Sequence, residues 1–258
     1  MTWLGLDDAV VAARLGLPRV AGYVSVPSTM DVAHALAADG AAAGTLVITE
    51  EQTAGRGRAG RVWTSRPGDG LWMTLIERPR AADALAVLSL RVGLHLAPVL
   101  ERWTSGPVRL KWPNDLYVGN RKLAGVLIEA RWRGAHPDWV AIGLGINLSA
   151  PVGLPDATGL GGANAEARRG DAGLTEVGLA EAVLAEAVPA VRAAAFASGP
   201  LTTRELDEFA RRDLAVGQRV SLPAAGLVRG ISPAGELLLE TPAGVAPFRV
   251  GSLVFANT

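Results

Sequence analysis

The feature that most restricts how this chain can fold is the change in apolar spacing along its length. Up to about residue 213, runs with strand-like spacing alternate with longer runs at helical spacing. Beyond Leu214 only short apolar runs remain, each bounded by Pro or Gly. A side chain changes face at every residue of a strand but returns only every ~3.6 residues of a helix, so neither pattern can bury its apolar residues in the other conformation. The spacing predicts strands over 20–26, 45–51, 71–77, 108–111, 116–118, 122–130 and 139–146, with Gly119-Asn120 as a hairpin turn. It predicts helices from Ser28 as cap through Val32, Ala35 and Leu36 to Gly40, and over 82–103, 175–198 and 201–213. Residues 150–172 read as irregular. The runs at 218–222, 226–231, 236–240, 245–249 and 252–255 read as a small five-stranded barrel. The expected class is therefore α+β: a mixed β-sheet flanked by helices over 1–213, followed by a β-barrel over 214–258.

Composition removes several classes of function. The chain has no cysteine, which excludes disulfides and thiolate catalysis, and its three histidines lie far apart, which disfavours a structural zinc site. The first twenty residues carry Asp7, Asp8 and Arg14 and lack an unbroken apolar stretch, so no secretory signal is expected. The most apolar stretch, 179–197, is interrupted by Glu181, Glu186, Pro189 and Arg192, which suits an amphipathic helix and not a membrane span. A soluble, cytoplasmic protein is the expectation. Net charge is zero, so the molecule as a whole has no bias toward nucleic acid or anionic membrane.

Within that neutral total, two features stand out. Residues 53–70 hold Gly55, Gly57, Gly60, Pro67, Gly68 and Gly70, a long loop of the kind that commonly carries function. The stretch GRGRAGRV within it matches both a dinucleotide fingerprint and a kinase glycine loop, but no helix can open at WTSRPG, and neither a following strand lysine nor an HRD segment is present. What the loop offers is Arg56, Arg58 and Arg61 on a backbone that can approach an anion closely. A solvated basic turn or an RNA-binding Arg-Gly segment is the open alternative, which neutral charge disfavours. The second feature is that 23 of the 25 cations are arginine, while the two lysines, Lys111 and Lys122, fall in one twelve-residue stretch. That placement points to a compact ammonium being needed there, with chance pairing left open.

Taken together, EQTAGRGRAGRVW (51–63), KWPNDLYVGNRKLAGVLIE (111–129) and GLGINLS (143–149) resemble, in order and spacing, the three signature segments of biotin protein ligases. The resemblance spans residues 20–149 and resumes in the C-terminal barrel. It implies a catalytic domain of the class II synthetase and biotin ligase type with an SH3-like barrel. The implied activity uses ATP to convert biotin to biotinyl-5'-adenylate, which then acylates a lysine of a biotin carboxyl carrier protein, such as that of acetyl-CoA carboxylase. Magnesium would accompany ATP, with its ligands unassigned. The implied catalytic residues are Lys122, Arg58 and Lys111. Ser28, Thr29 and Gln52 match ureido-binding positions, while Gly55, Arg56, Trp72, Gly125 and Leu127 match walls or backbone of the biotin pocket. Arg56, Arg58, Arg61, Trp63, Lys111, Asp115, Lys122, Gly143, Gly145 and Asn147 would hold the nucleotide.

Bland readings stand beside several of these assignments. Lys111 and Asp115 could be a structural ion pair, Trp72 a core residue, and Asn147 a turn cap. The chain also departs from the family at Ser28-Thr29-Met30-Asp31, where Ser-Thr-Asn-Asp is usual; Met30 either packs on the biotin rings or weakens binding. Some family members carry an N-terminal DNA-binding module, but the strand expected from Val20 leaves no room for one, so no nucleic-acid partner is expected. Exposed sheet edges make a homodimer plausible. The nearest rival is a lipoate or octanoate ligase, whose linear substrate would not need the Ser28, Thr29 and Gln52 hydroxyls and amide.

Overall fold

A computed structural model describes residues 2–79, 82–161 and 175–256. The first elements are a two-stranded hairpin, β1 (Thr2–Trp3) and β2 (Leu6–Asp7), and helix α1 (Asp8–Leu15). Apolar spacing predicts no element here. Asp7 nevertheless caps α1 by accepting from the Ala9 and Val10 amides, and Gly16 ends it in the left-handed conformation at φ 62°. Next follow β3 (Arg19–Val26), α2 (Thr29–Ala38), β4 (Thr45–Gln52), β5 (Gly70–Glu77) and α3 (Leu88–Glu101). Strands β6 (Val108–Lys111), β7 (Asp115–Val118), β8 (Arg121–Arg133) and β9 (His136–Asn147) complete the first half.

These form a seven-stranded sheet in the order β3-β4-β5-β9-β8-β7-β6. Only β3 and β4, joined by α2, run parallel. The other neighbours are antiparallel, so the mixed sheet expected from the spacing is present. The helix expected over 82–103 is shorter than its apolar periodicity: a 3-10 turn occupies Asp83–Ala86, and the α-helix begins at Leu88 without a side-chain cap. The irregular stretch over 150–172 is described only to residue 161, and no helix or strand occurs in that part.

Alternation along the strands sends two different sets of side chains to the two faces. Leu46, Ile48, Leu71, Met73, Leu75, Val126, Ile142, Leu144 and Ile146 pack into the main core with α3 and α4 (Glu176–Phe196). On the opposite face α2 covers one part, through a small cluster of Ala33, Ala37, Val47 and Ile76. Part of that face is therefore left for a cleft.

Helix α5 (Thr203–Arg212) leads into β10 (Arg219–Leu222), β11 (Gly226–Ile231), β12 (Leu237–Thr241), β13 (Gly244–Phe248) and β14 (Val254–Phe255). Their antiparallel order, β13-β12-β11-β10-β14, leaves β13 and β14 unpaired with each other, so the barrel is not closed by hydrogen bonds. Val220, Val228, Leu237, Leu239 and Leu253 join the main core, and the Trp112 indole N–H donates to the Gly235 carbonyl at 2.9 Å.

One buried charge ties α3 to α5. Arg91, 1% exposed, donates to Glu205 at 2.5 Å and to the carbonyl of Pro200 at 3.0 Å. Glu205 also closes a capping box with Thr202. Burial raises the Glu205 pKa, but its bonds to Arg91 and Thr202 together outweigh burial and bring it down to about 2. A folded-state pKa below the unfolded one contributes stability above the ordinary 4.5 that is lost as pH falls toward about 2. Glu205→Ala should cost about 3–5 kcal/mol at neutral pH by leaving Arg91 buried without its partner. Urea unfolding should show the difference from the parent shrinking below pH 4.5.

Candidate active site

The cleft lies where α2 stops covering the sheet. Two cross-strand rows define its floor: Gly145, Gly125 and Asp115, a row that continues to Trp72 under the loop, and Thr74, Gly143 and Leu127. Three of the central positions are glycine, so the backbone itself is the floor there. The enclosed space is about 710 Å³, its open mouth included.

The loop between β4 and β5 folds back over this floor. Gly55 lets it do so, since a Cβ at that position would come within 2.4 Å of the Trp63 carbonyl. The loop lays the Trp63 indole on the bare glycines: a Cβ on Gly145 would stand 2.4 Å from the ring, and one on Gly125 3.0 Å. Trp72, buried beneath the loop, meets Trp63 edge-on at 6.3 Å and donates to the Arg66 carbonyl. The Trp63 Nε1 is buried and has no hydrogen-bond partner among the described residues. Met30 packs its methyl over Gly143, where a Cβ would sit 2.7 Å away.

A polar cluster closes one end. Gln52 accepts from the Thr29 amide at 2.9 Å and donates to Ser65 at 2.9 Å, while the Thr29 and Thr74 hydroxyls are 2.9 Å apart. Ser28 caps α2 by accepting from the Met30 amide. Thr74 was missed by sequence reasoning; its signal was a lone hydroxyl on the cleft side of the otherwise apolar strand 71–77.

Cations gather at the other end. A β-bulge at Leu123 shifts the β7–β8 register, so that Tyr117 faces Lys122 while Leu116 faces Ala124. Uninterrupted alternation from Gly125 would put Lys122 on the core face; the extra residue turns it into the cleft and buries Leu123 instead. The Lys122 ammonium sits 2.7 Å from Asp115 and 4.9 Å from the Trp63 ring centre. Arg58 donates to Asn114 at 3.2 Å, and Asn114 in turn donates to the Val126 carbonyl at 2.7 Å. Burial lowers the Arg58 pKa against the pull of Asp115. Asn114 belongs to the quoted KWPND segment but was assigned no part. Arg61 lines the cleft and donates to Ser252 at 3.3 Å, linking the loop to the C-terminal sheet. Arg56 also lines the cleft, but its guanidinium is committed to Asp31 at 2.8 Å.

Of the expected residues, four do not line the cleft: Gly55 and Trp72, which shape and support the loop, and Lys111 and Asn147. Lys111 points into an adjoining groove, its ammonium 5.5 Å from the Tyr117 ring and 5.1 Å from that of Phe255. Burial lowers its pKa, with Asp115 opposing and Lys122 and Arg61 adding to the effect. Asn147, 3% exposed, donates to the carbonyls of Thr158 at 2.9 Å and Lys122 at 3.4 Å. It therefore braces the backbone of Lys122, which is also held by Asp156 and Thr158. Gathered in and around one cleft are thus Ser28, Thr29, Gln52, Arg56, Arg58, Arg61, Trp63, Asp115, Lys122, Gly125, Leu127, Gly143 and Gly145.

This geometry yields two expectations. Gly145→Ala should expel the Trp63 ring, seen as a red shift in the emission component that Trp63→Phe abolishes; no hydrogen bond of the indole is lost. Asn147→Ala should cost about 1–3 kcal/mol in denaturant unfolding, because the buried Thr158 carbonyl loses its side-chain donor, while the Lys122 carbonyl keeps the Thr158 amide.

Comparison with known proteins places this arrangement. Residues 21–147 match the model of the "Biotin/lipoate A/B protein ligase family". The chain is 30% identical over 269 residues to the biotin--[acetyl-CoA-carboxylase] ligase of Mycobacterium tuberculosis, with 96% of this chain and 93% of that one covered. It is 39% identical over 131 residues to the bifunctional ligase/repressor BirA of Bacillus subtilis, covering 50% of this chain and 40% of that protein. Against the BirA relatives the chain spans between 40% and 66% of their length. The structure of the Aquifex aeolicus biotin protein ligase in complex with biotin and ATP superposes with a TM-score of 0.70 at 26% identity, covering 93% of this chain and 99% of that one. With the three signature segments converging on one cleft and a 30%-identical ligase covered over 93% of its length, the chain belongs to the biotin protein ligase family.

Proposed function

We propose that the chain activates biotin with ATP and transfers it to a lysine of a biotin carboxyl carrier protein. The observation that carries this reading is the cleft itself. A bare, partly apolar floor has hydroxyls and an amide at one end and Lys122 with Arg58 and Arg61 at the other. Biotin is an apolar bicycle with a ureido head and a carboxylate tail, and that distribution of groups suits it end for end. The relatives named as biotin ligases support the same substrate.

In the first step a carboxylate oxygen of biotin attacks the α-phosphorus of ATP, and pyrophosphate leaves. Two anions must meet, so neutralising cations are the main requirement. Lys122 is assigned the biotin carboxylate and α-phosphate, where it would stabilise the charge of the pentavalent transition state, with Arg58 closing over the same groups. Asp115 holds the Lys122 ammonium in place at 2.7 Å. Arg61 and Lys111 would face the outer phosphates from the C-terminal side. In the second step the carrier lysine amine attacks the mixed-anhydride carbonyl, AMP leaves with the bonding electrons, and the amine proton passes to solvent. Trp63 covers the floor that the rings need, so it must move aside, where its face could meet adenine.

Magnesium fits this site only as a companion of the triphosphate. Among the described residues no three metal-binding side chains cluster, and Asp115, the carboxylate lining the cleft, is paired with Lys122. When bound, the ion would shield charge on the pyrophosphate leaving group. The division at Leu214, with the following sheet helping to close the nucleotide side, belongs to the same reading and is supported by the Arg61–Ser252 contact. No helix among the described residues is long and apolar enough to cross a membrane. A cytoplasmic setting is part of the proposal, as biotin carriers work there.

Exchange of labelled pyrophosphate into ATP should require biotin and fall by about 10²–10³-fold in Lys122→Ala, a loss typical of removing one transition-state donor. Lys122→Arg should not restore it, because the planar fork replaces a compact charge beside Asp115. Exchange supported by lipoate or octanoate instead of biotin would keep the fold and reassign the substrate.

A further inference from the structure

Five side chains that this mechanism leaves unused form a continuous set of contacts along one flank of the loop. The Arg56 Nη2 lies 2.8 Å from Asp31 Oδ1 and 3.6 Å from Glu129 Oε1. The other Glu129 oxygen is 3.0 Å from His34 Nε2, and the Trp139 indole N–H donates to His34 Nδ1 at 2.9 Å. An indole nitrogen cannot accept a hydrogen bond, so Nδ1 is the acceptor and the ring proton of neutral His34 sits on Nε2. That proton is donated to Glu129. The tautomer is thus dictated by a neighbour on β9, and it aims one carboxylate oxygen inward while leaving the other for Arg56.

Asp31 and His34 come from α2, Glu129 from β8 and Trp139 from β9, all parts of the packed scaffold. Arg56 alone belongs to the loop. His34 is largely buried, with 11% of its side chain exposed, whereas Arg56 and Asp31 are 42% and 55% exposed. An exposed pair of that kind contributes little by itself, because solvent screens it and both side chains must be ordered. A carboxylate already fixed by a buried imidazole adds a second partner for Arg56 without a further ordering cost.

We propose that this relay is a latch: His34 is a positioning residue that aims Glu129 at Arg56, so that Glu129 and Asp31 together fasten the loop of residues 55–62 over the cleft and slow the departure of a bound ligand. The latch sorts the three loop arginines into different tasks. Arg56 holds the loop down, which leaves Arg58 and Arg61 facing the reacting groups. The effect on ligand departure rests on the activity proposed above; the latch itself does not.

Tryptic cleavage after Arg58 and Arg61 in the ligand-free full-length protein reads the latch directly, since cleavage follows the population of the open loop. Dissociation of biotin reads its consequence. Glu129→Gln keeps shape and removes charge, His34→Ala removes the relay, and His34→Gln keeps groups able to accept from Trp139 and donate to Glu129. Glu129→Gln and His34→Ala should each raise the cleavage rate and the biotin dissociation rate about fivefold, the ratio that a change near 1 kcal/mol in local opening produces. The turnover rate at saturating substrates should stay unchanged, and His34→Gln should return both rates toward the parent. An unchanged cleavage rate in Glu129→Gln, with the fold intact by circular dichroism, overturns the latch. Equal acceleration in His34→Gln and His34→Ala overturns the positioning role of His34. Faster cleavage with unaltered biotin dissociation overturns the link to the ligand, whereas a parent that binds no biotin overturns the activity reading and leaves the cleavage result standing.

Discussion

The Trp63 indole rests on the backbone of Gly125 and Gly145, and the rest of the cleft is arranged around that contact. Any side chain at either position would occupy the plane where the ring lies, so the two glycines create a flat apolar surface within an otherwise filled sheet. Trp72 supports the ring from its edge, and the Lys122 ammonium stands over its face, a cation–π contact worth roughly 0.5–1 kcal/mol. On the proposed function, the same surface would seat the rings of biotin. Loop, floor and Lys122 are therefore mechanically linked: displacing Trp63 changes the surroundings of the Lys122 ammonium.

The charges of the site are held by backbone geometry more than by one another. The bulge at Leu123 turns Lys122 to the cleft, and the Asn147 amide with the Asp156 and Thr158 backbone keeps that turn in place. Asn114 couples Arg58 to the same strand through the Val126 carbonyl. The C-terminal sheet adds Ser252 beside Arg61 and the Phe255 ring beside Lys111. Preorganised cations of this kind need little rearrangement when an anion arrives, which is the physical basis of electrostatic catalysis.

Much was legible without coordinates. Every strand of the large sheet was placed to within a few residues by apolar periodicity, because one or both faces of those strands are buried and period two leaves a clear trace. The five C-terminal runs became five strands for the same reason. The N-terminal hairpin and α1 were passed over, since they are short and their signals, Asp7 as cap and Gly16 as terminator, are local chemistry and not periodicity. Most site residues in the long signature segments are legible, but Asn114 and Glu129 within those segments are not, and neither are Thr74, His34 and Asp31. A single polar residue in a strand or helix has no pattern of its own.

By itself the sequence determined the class of fold, the loop that carries the arginines and the two lysines set apart from them, because composition and spacing are properties of neighbours along the chain. Only the tertiary structure decided which way those groups face. Lys122 enters the cleft because a bulge breaks the alternation, whereas Lys111 leaves it for the rings of Tyr117 and Phe255. Arg56 differs from Arg58 and Arg61 because Asp31 and Glu129, separated by 98 residues of chain, meet beside it. Partners so distant in sequence are brought together by sheet register and helix packing, which spacing along the chain does not encode.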